Sequence, residues 1–317
     1  MPGPGGLPGG PPQAGDRDGR ARSLGVKLAI VSGKGGTGKT LLAVNLAWSA
    51  PQPADLLDCD VEEPNCHLFF DARTLRREPV SKPVPELLPG RCTGCGLCAR
   101  ICQFKAVAFF GKEPLIFPDL CHGCGGCMWV CPAAALRERG EEIGEVEVSE
   151  TSRGLLVQGR LRVGQAQSPP LIRAVKRLSD PNRLVIVDGP PGADCSLAAA
   201  IADCDLALLV AEPTSFGRYD LELALSAVQR LGLRCAVVVN RSGRGRVDLR
   251  AECARRGVEV LAEIPESQEI ARAVARGRIA LDMVPSLQPI FAEIWSKVLA
   301  QTMDGRSERR VPRHADV

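Results

Sequence analysis

The chain has 317 residues, 45% of them hydrophobic, which is enough for a packed core and for about two domains at roughly 150 residues each. Forty Lys and Arg against 37 Asp and Glu leave a formal charge of +3, so the bulk composition excludes a strongly basic nucleic-acid binder and an acidic tail protein. No apolar run approaches about 18 residues and no basic segment leads into an apolar one at the start, so no membrane partner or secretion is expected, a cytoplasmic location is, and the 14 cysteines point to metal rather than disulfides.

Residues 1–24 carry PGPGGLPGGPP and then alternating charges, too little apolar surface to offset ordering entropy, and are expected to be a disordered extension. Residues 26–31 (VKLAIV) read as a buried strand, 41–50 as a helix beyond a glycine-rich turn, and 55–59 as a second strand. Regularity is lost from 64 to about 81. Eight of the fourteen cysteines then crowd between 83 and 140, and a short strand around 145–148 leads out. A helix over 171–178 precedes a strand at 183–187 that ends in DGPPG. Strands at 206–210, 235–239 and 258–264 follow, separated by helices at 219–231 and 247–256. Helices over 267–276 and 286–300 close the pattern before a polar tail. This alternation predicts an α/β fold with a doubly wound, mostly parallel sheet.

Between the first strand and its helix, Gly33-Lys34-Gly35-Gly36-Thr37-Gly38-Lys39-Thr40 satisfies G-x4-G-K-[ST] in the strand, loop, helix context that gives the motif meaning. Its glycines let successive backbone N–H groups converge on phosphate oxygens, and the helix N-terminus adds its dipole. Lys39 neutralises β/γ-phosphate charge and the Thr40 hydroxyl ligates Mg2+. The expected ligands are ATP or ADP with Mg2+, cradled by Gly33, Gly35, Gly36, Thr37, Gly38, Lys39 and Thr40.

A second lysine, Lys34, stands just after the first glycine and marks the deviant Walker A subgroup; here the chain resembles the MinD/ParA family of P-loop ATPases and nitrogenase iron protein. The resemblance implies an ATP-dependent homodimer in which Lys34 reaches across to the partner's phosphates and stabilises transition-state charge. The segment DCDVEEPN (58–65) resembles switch I, with Asp60 positioning or activating the attacking water and Asp58 near the Mg2+ shell. VIVDGPPG resembles the Walker B segment, making Asp188 a Mg2+ ligand through water. Asn240 in VVVNR and Pro265 in EIPES resemble the family's adenine-contacting segments. Lys34, Lys39 and Asp60 are thus the implied catalytic residues.

Cys92-x2-Cys95-x2-Cys98-x3-Cys102 is repeated as Cys121-x2-Cys124-x2-Cys127-x3-Cys131-Pro132. This is the spacing of bacterial two-cluster ferredoxins, in which the fourth cysteine of each run ligates the other cluster. One [4Fe-4S] centre is then expected on Cys92, Cys95, Cys98 and Cys131, the other on Cys121, Cys124, Cys127 and Cys102. Zinc also uses CxxC pairs, but as isolated pairs rather than doubled runs of four. Gln103 departs from the proline often found after the first run. His122 reads as a solvated loop residue and Trp129 as core packing. Cys59, Cys66, Cys195, Cys204, Cys235 and Cys253 default to buried small hydrophobes.

An ATPase interrupted after switch I by such a segment resembles the MinD-superfamily P-loop ATPases with an inserted ferredoxin domain, of the CobQ/CobB/MinD/ParA group; GRLRVGQ and EPTSFGRYDLELA belong to the same resemblance. It implies a discontinuous ATPase domain over 25–70 and 150–302, an inserted two-cluster ferredoxin-like α+β domain over 82–145, and a polar tail over 303–317. The implied function is ATP-gated electron transfer through the clusters to a redox partner. The alternatives are an iron–sulfur carrier or assembly ATPase and a ParA/MinD-like positioning switch with redox-sensing clusters. No CxxC lies outside the insert, whereas iron–sulfur carrier ATPases of this resemblance use one near the C-terminus; the tail has no apolar face and a basic patch is limited to Arg241, Arg244 and Arg246, so neither membrane nor nucleic acid is expected as a partner.

Overall fold

The structure, a computed structural model, describes residues 25–309; the extension expected over 1–24 and the end of the tail, 310–317, lie outside the described residues. Strand β1 (Lys27–Ser32) is apolar on both faces because both are covered. Leu28 and Ile30 enter one core while Ala29 and Val31 enter another, following the two-residue period of a strand. Helix α1 (Lys39–Ser49) is buried over most of its length, and its Asn45 is fully satisfied: Nδ2 donates to the Leu41 carbonyl at 2.8 Å and Oδ1 accepts from the Leu281 N–H at 2.9 Å. Strand β2 (Ala54–Asp58) follows.

The region expected to lack regularity holds a short 3-10 turn, Cys66–Phe69, and then the 15-residue strand β3 (Arg73–Leu87). Prolines at 79, 83 and 85 argue against a central strand, but β3 is an edge strand paired on one side only, where a missing N–H costs nothing. Beyond it come α2 (Leu97–Ile101), the hairpin β4 (Val107–Phe110) and β5 (Glu113–Ile116), and α3 (Gly126–Trp129). The short strand expected at 145–148 is the middle of β6 (Leu136–Thr151), antiparallel to β3 from Arg73↔Glu150 to Leu87↔Leu136. Opposite charges face each other along this ribbon, as in Arg77–Glu147 at 2.6 Å and Arg137–Glu86 at 2.5 Å. Strand β7 (Gly154–Leu161), missed by the sequence reading, joins β6 to the body of the sheet.

The remainder alternates as α4 (Pro169–Arg177), β8 (Leu184–Pro191), α5 (Cys195–Ile201), β9 (Leu206–Ala211), α6 (Ser215–Arg230), β10 (Cys235–Ser242), α7 (Leu249–Arg255), β11 (Val260–Pro265), α8 (Gln268–Ala275), α9 (Ala280–Met283) and α10 (Gln288–Arg309), of which the short α5 and α9 were not expected from the sequence. The last helix continues into the segment read as tail. Nine strands run β11-β10-β9-β1-β8-β2-β7-β6-β3, the first seven parallel, β6 antiparallel to β7, and β3 antiparallel to β6. One core lies between the sheet and α1, α8, α9 and α10, the other between the sheet and α4, α5, α6 and α7. No helix among the described residues is long and apolar enough to cross a membrane.

Candidate functional site: a phosphate cleft and a cysteine module

The loops after β1, β2, β8, β10 and β11 meet at the carboxyl edge of the sheet, where parallel α/β sheets bind ligands. They surround a cleft of about 1080 Å³. In the β1–α1 loop, a Cβ on Gly35 or Gly36 would meet nothing within 4 Å, leaving room for a ligand against the backbone. Gly38 is held at φ +98°, and a Cβ there would lie 2.2 Å from Asn240 Nδ2. That amide donates to the Thr37 carbonyl at 2.8 Å, so Asn240 also braces the loop whose ligand it was expected to contact. Lys39, Thr40, Asn240 and Pro265 line the cleft. Lys34 lies on the α6 side of the loop, 3.8 Å from Asp220.

Asp58 ends β2 directly opposite Asp188 on β8, and both are fully buried. Thr40 donates to Asp188 Oδ2 at 2.7 Å, while Asp188 Oδ1 has no partner, as expected of an oxygen kept for a cation or its water. Asp58 accepts the N–H groups of Asp60, Asn65 and Cys66 and so folds the loop after β2. Burial holds both carboxyls above their usual range, and for Asp58 the Asp188 charge adds to the effect. Asp60 lines the cleft; burial pushes its pKa up to about 6 against the pull of Lys39. Cys66, expected only to pack, brings its thiol 3.4 Å from Asp188 Oδ2. Arg241 and Arg244, read from the sequence as a basic patch, line the same cleft, and Arg241 pairs with Glu212 at 2.5 Å.

The eight cysteines of the doubled motif divide between two cavities. Cys92, Cys95, Cys98 and Cys131 line one; Cys102, Cys121, Cys124 and Cys127 line the other. The two runs are built alike. Gly94 and Gly96 at φ +72° and +67° are matched by Gly123 and Gly125 at +66° and +72°. Three residues past each fourth cysteine, Lys105 and Ala134 adopt positive φ, after which the Ala106 and Ala135 N–H groups each donate to Cys102 or Cys131 Sγ at 3.3 Å. His122 stacks on Phe104 with centroids 3.5 Å apart. Trp129, expected in the core, is 89% exposed, because so small a module has no interior wide enough for an indole. Cys195 is likewise exposed at the start of α5 rather than buried.

Side chains that sequence reasoning passed over connect module and cleft. Ser196, on the cleft, shares a buried 2.7 Å hydrogen bond with Ser168. Next to it, Gln167 donates to the Leu120 carbonyl at 3.5 Å and Gln165 to Asp119 at 3.0 Å, immediately before Cys121. No local motif marks such contacts; they depend on the β7–α4 loop passing beside the module.

The CobQ/CobB/MinD/ParA nucleotide binding domain profile matches residues 28–281. An uncharacterized protein of Methanocaldococcus jannaschii, MJ0578, is 31% identical over 86% of this chain and 96% of its own length. Among solved structures, the septum site-determining protein MinD of Pyrococcus horikoshii, complexed with Mg-ADP, superposes with a TM-score of 0.54 at 19% identity, over 87% of this chain and 97% of that one. The cell division ATPase MinD of Pyrococcus furiosus gives 0.54 at 20%, over 87% and 99%.

Proposed function

The chain belongs to the CobQ/CobB/MinD/ParA nucleotide-binding family, and from that premise we propose that it is an Mg-ATP-hydrolysing iron–sulfur protein whose nucleotide state gates electron transfer through two [4Fe-4S] clusters to a redox partner. The carrying observation is the division of eight cysteines into two cavities, each taking three residues of one run and the fourth of the other. The donor set fits: all-thiolate sites suit iron–sulfur clusters or zinc. Zinc at about 2.3 Å from each sulfur would draw four sulfurs to about 3.8 Å from one another. Zinc sites, moreover, use isolated CxxC pairs, whereas this chain carries doubled runs of four.

When bound, the clusters supply low-potential one-electron chemistry. The protein's own residues do the rest. Lys39 and the loop N–H groups bind the β/γ-phosphates; Thr40 and Asp188 hold the cation; Asp60 orients the attacking water and accepts its proton at a carboxylate oxygen. Lys34 leaves Asp220 to engage the partner's phosphates in a nucleotide-dependent homodimer. The contacts Ser196–Ser168 and Gln167–Leu120 give closure of the cleft a path to the Cys121 loop.

Anaerobic EPR of the dithionite-reduced protein, titrated by potential with and without Mg-ATP beside iron and sulfide analysis, tests this. About eight irons per chain, with spectra or potentials that respond to ATP, are expected. Eight irons with no ATP response would overturn gating and favour a carrier or sensor; zinc without sulfide would overturn the clusters.

A further inference from the structure

Lys82 sits on β3, only 2% exposed, and its Nζ has no hydrogen-bond partner. A buried unpaired amine is costly unless an anion faces it. The two nearby carboxylates are engaged elsewhere: Glu141, across the ribbon from Lys82, bonds Arg139 at 2.7 Å, and Asp119 accepts from Gln165 at 3.0 Å. Burial holds the Lys82 pKa below its usual value, and Val84, on the same face of β3 two residues on, shares a buried cluster with Cys121. The adjoining Pro83 lines the cavity of Cys102, Cys121, Cys124 and Cys127, and its carbonyl lies close enough to Gly123 that a Cβ there would stand 3.0 Å away. Lys82 therefore sits beside the Cys121 end of one quartet. Lys82 stands behind that quartet's lining rather than in it, and neither quartet's lining holds a lysine, arginine or carboxylate side chain.

We propose that Lys82 is a positioning residue for electrons: its ammonium stabilises the reduced state of the centre on Cys102, Cys121, Cys124 and Cys127 and makes it the higher-potential member of the pair. The inference rests on the two-cluster reading above. One electron leaves the centre on Cys92, Cys95, Cys98 and Cys131 and one arrives on the Lys82 side, with no proton exchanged. A thiolate-ligated cluster gains a negative charge on reduction, and an adjacent buried cation is screened little by solvent. The electron thus comes to rest on the quartet that Asp119 and Leu120 tie to the nucleotide cleft.

The test is a potentiometric EPR titration of full-length Lys82→Met and Lys82→Arg, each with iron and sulfide counted. In Lys82→Met one of two reduction waves should move to lower potential by at least a tenfold change in its reduction equilibrium, about 59 mV for one electron, while the other stays. Lys82→Arg should keep the parental value. Cys95→Ser, by altering the signal of the other centre, identifies which wave moved. Full iron content with both waves unmoved in Lys82→Met, or equal shifts in Met and Arg variants, overturns the role of Lys82. A parent protein without about eight irons overturns the two-cluster reading instead.

Discussion

The hydroxyls of Ser168 and Ser196 meet at 2.7 Å in a buried contact that joins the nucleotide cleft to the loop leading into α4. Two residues of that loop, Gln165 and Gln167, hold the segment just before Cys121. Ser168→Ala should leave nucleotide affinity nearly unchanged while weakening the ATP-induced change in the EPR spectrum, a coupling loss of roughly 0.5–2 kcal/mol. Nucleotide titrations followed by EPR of both proteins check this; an undiminished ATP response would show that the coupling runs elsewhere, such as through the loop after β2.

The two loop lysines should separate by phenotype. Lys39 lines the cleft and Lys34 faces Asp220, so Lys39→Ala is expected to impair nucleotide binding and turnover together. Lys34→Ala should spare binding and lower turnover by about a thousandfold, the lower end for a charge supplied in trans. Binding isotherms beside phosphate-release assays decide it, and equal losses on both would remove the trans role.

Asp60 makes the cleft sensitive to pH. With its pKa pushed up to about 6, the nucleotide-free protein still holds part of a proton there near pH 6, and a bound cation favours the carboxylate. Binding of Mg-ATP should therefore release protons around pH 6, with the Asp60 share fading by pH 8, readable by calorimetry in buffers of different ionisation enthalpy. The folded pKa exceeds the ordinary 3.8, so ionisation costs stability: the cost begins as pH rises past that value and is complete above about 6. Asp60→Asn should raise Tm at pH 8 and change it little at pH 4.

Interleaving of the cysteine runs predicts an exchange that sequence neighbours would not. Cys131→Ser should damage the centre built on Cys92, Cys95 and Cys98, lowering iron from about eight toward about four, while the centre on its own run persists. Iron analysis with EPR checks which signal is lost.

Asn45 offers a stability test remote from chemistry. Asn45→Ala leaves the buried Leu281 N–H without its acceptor and should cost about 1–3 kcal/mol in denaturant unfolding, with metal content unchanged.

Much of the molecule is legible in local pattern. The Gly33–Thr40 loop, the apolar strands at 26–31 and 206–210 and the doubled cysteine spacing each carry their pattern within a few residues, because phosphate cradles, buried parallel strands and closely spaced thiols are short-range features. The β3–β6 ribbon is not of this kind. Regularity is lost over 64–81 and a strand is expected only around 145–148, and only the pairing of Arg73–Leu87 with Leu136–Thr151, across roughly fifty intervening residues at its near end, makes one long ribbon of them.

The same division holds for the site. Chemistry that resides in a motif was determined by the sequence itself: a phosphate loop, a pair of carboxylates after apolar strands, and eight thiols in two runs of four. The tertiary structure decided which groups meet: Asp58 opposite Asp188, Cys66 beside them, Ser168 against Ser196, and Lys82 alone behind Cys121. Each of these joins residues brought together by sheet order or by the return of a loop, and long-range burial, unlike hydrophobic period or motif spacing, leaves no signature in neighbouring residues.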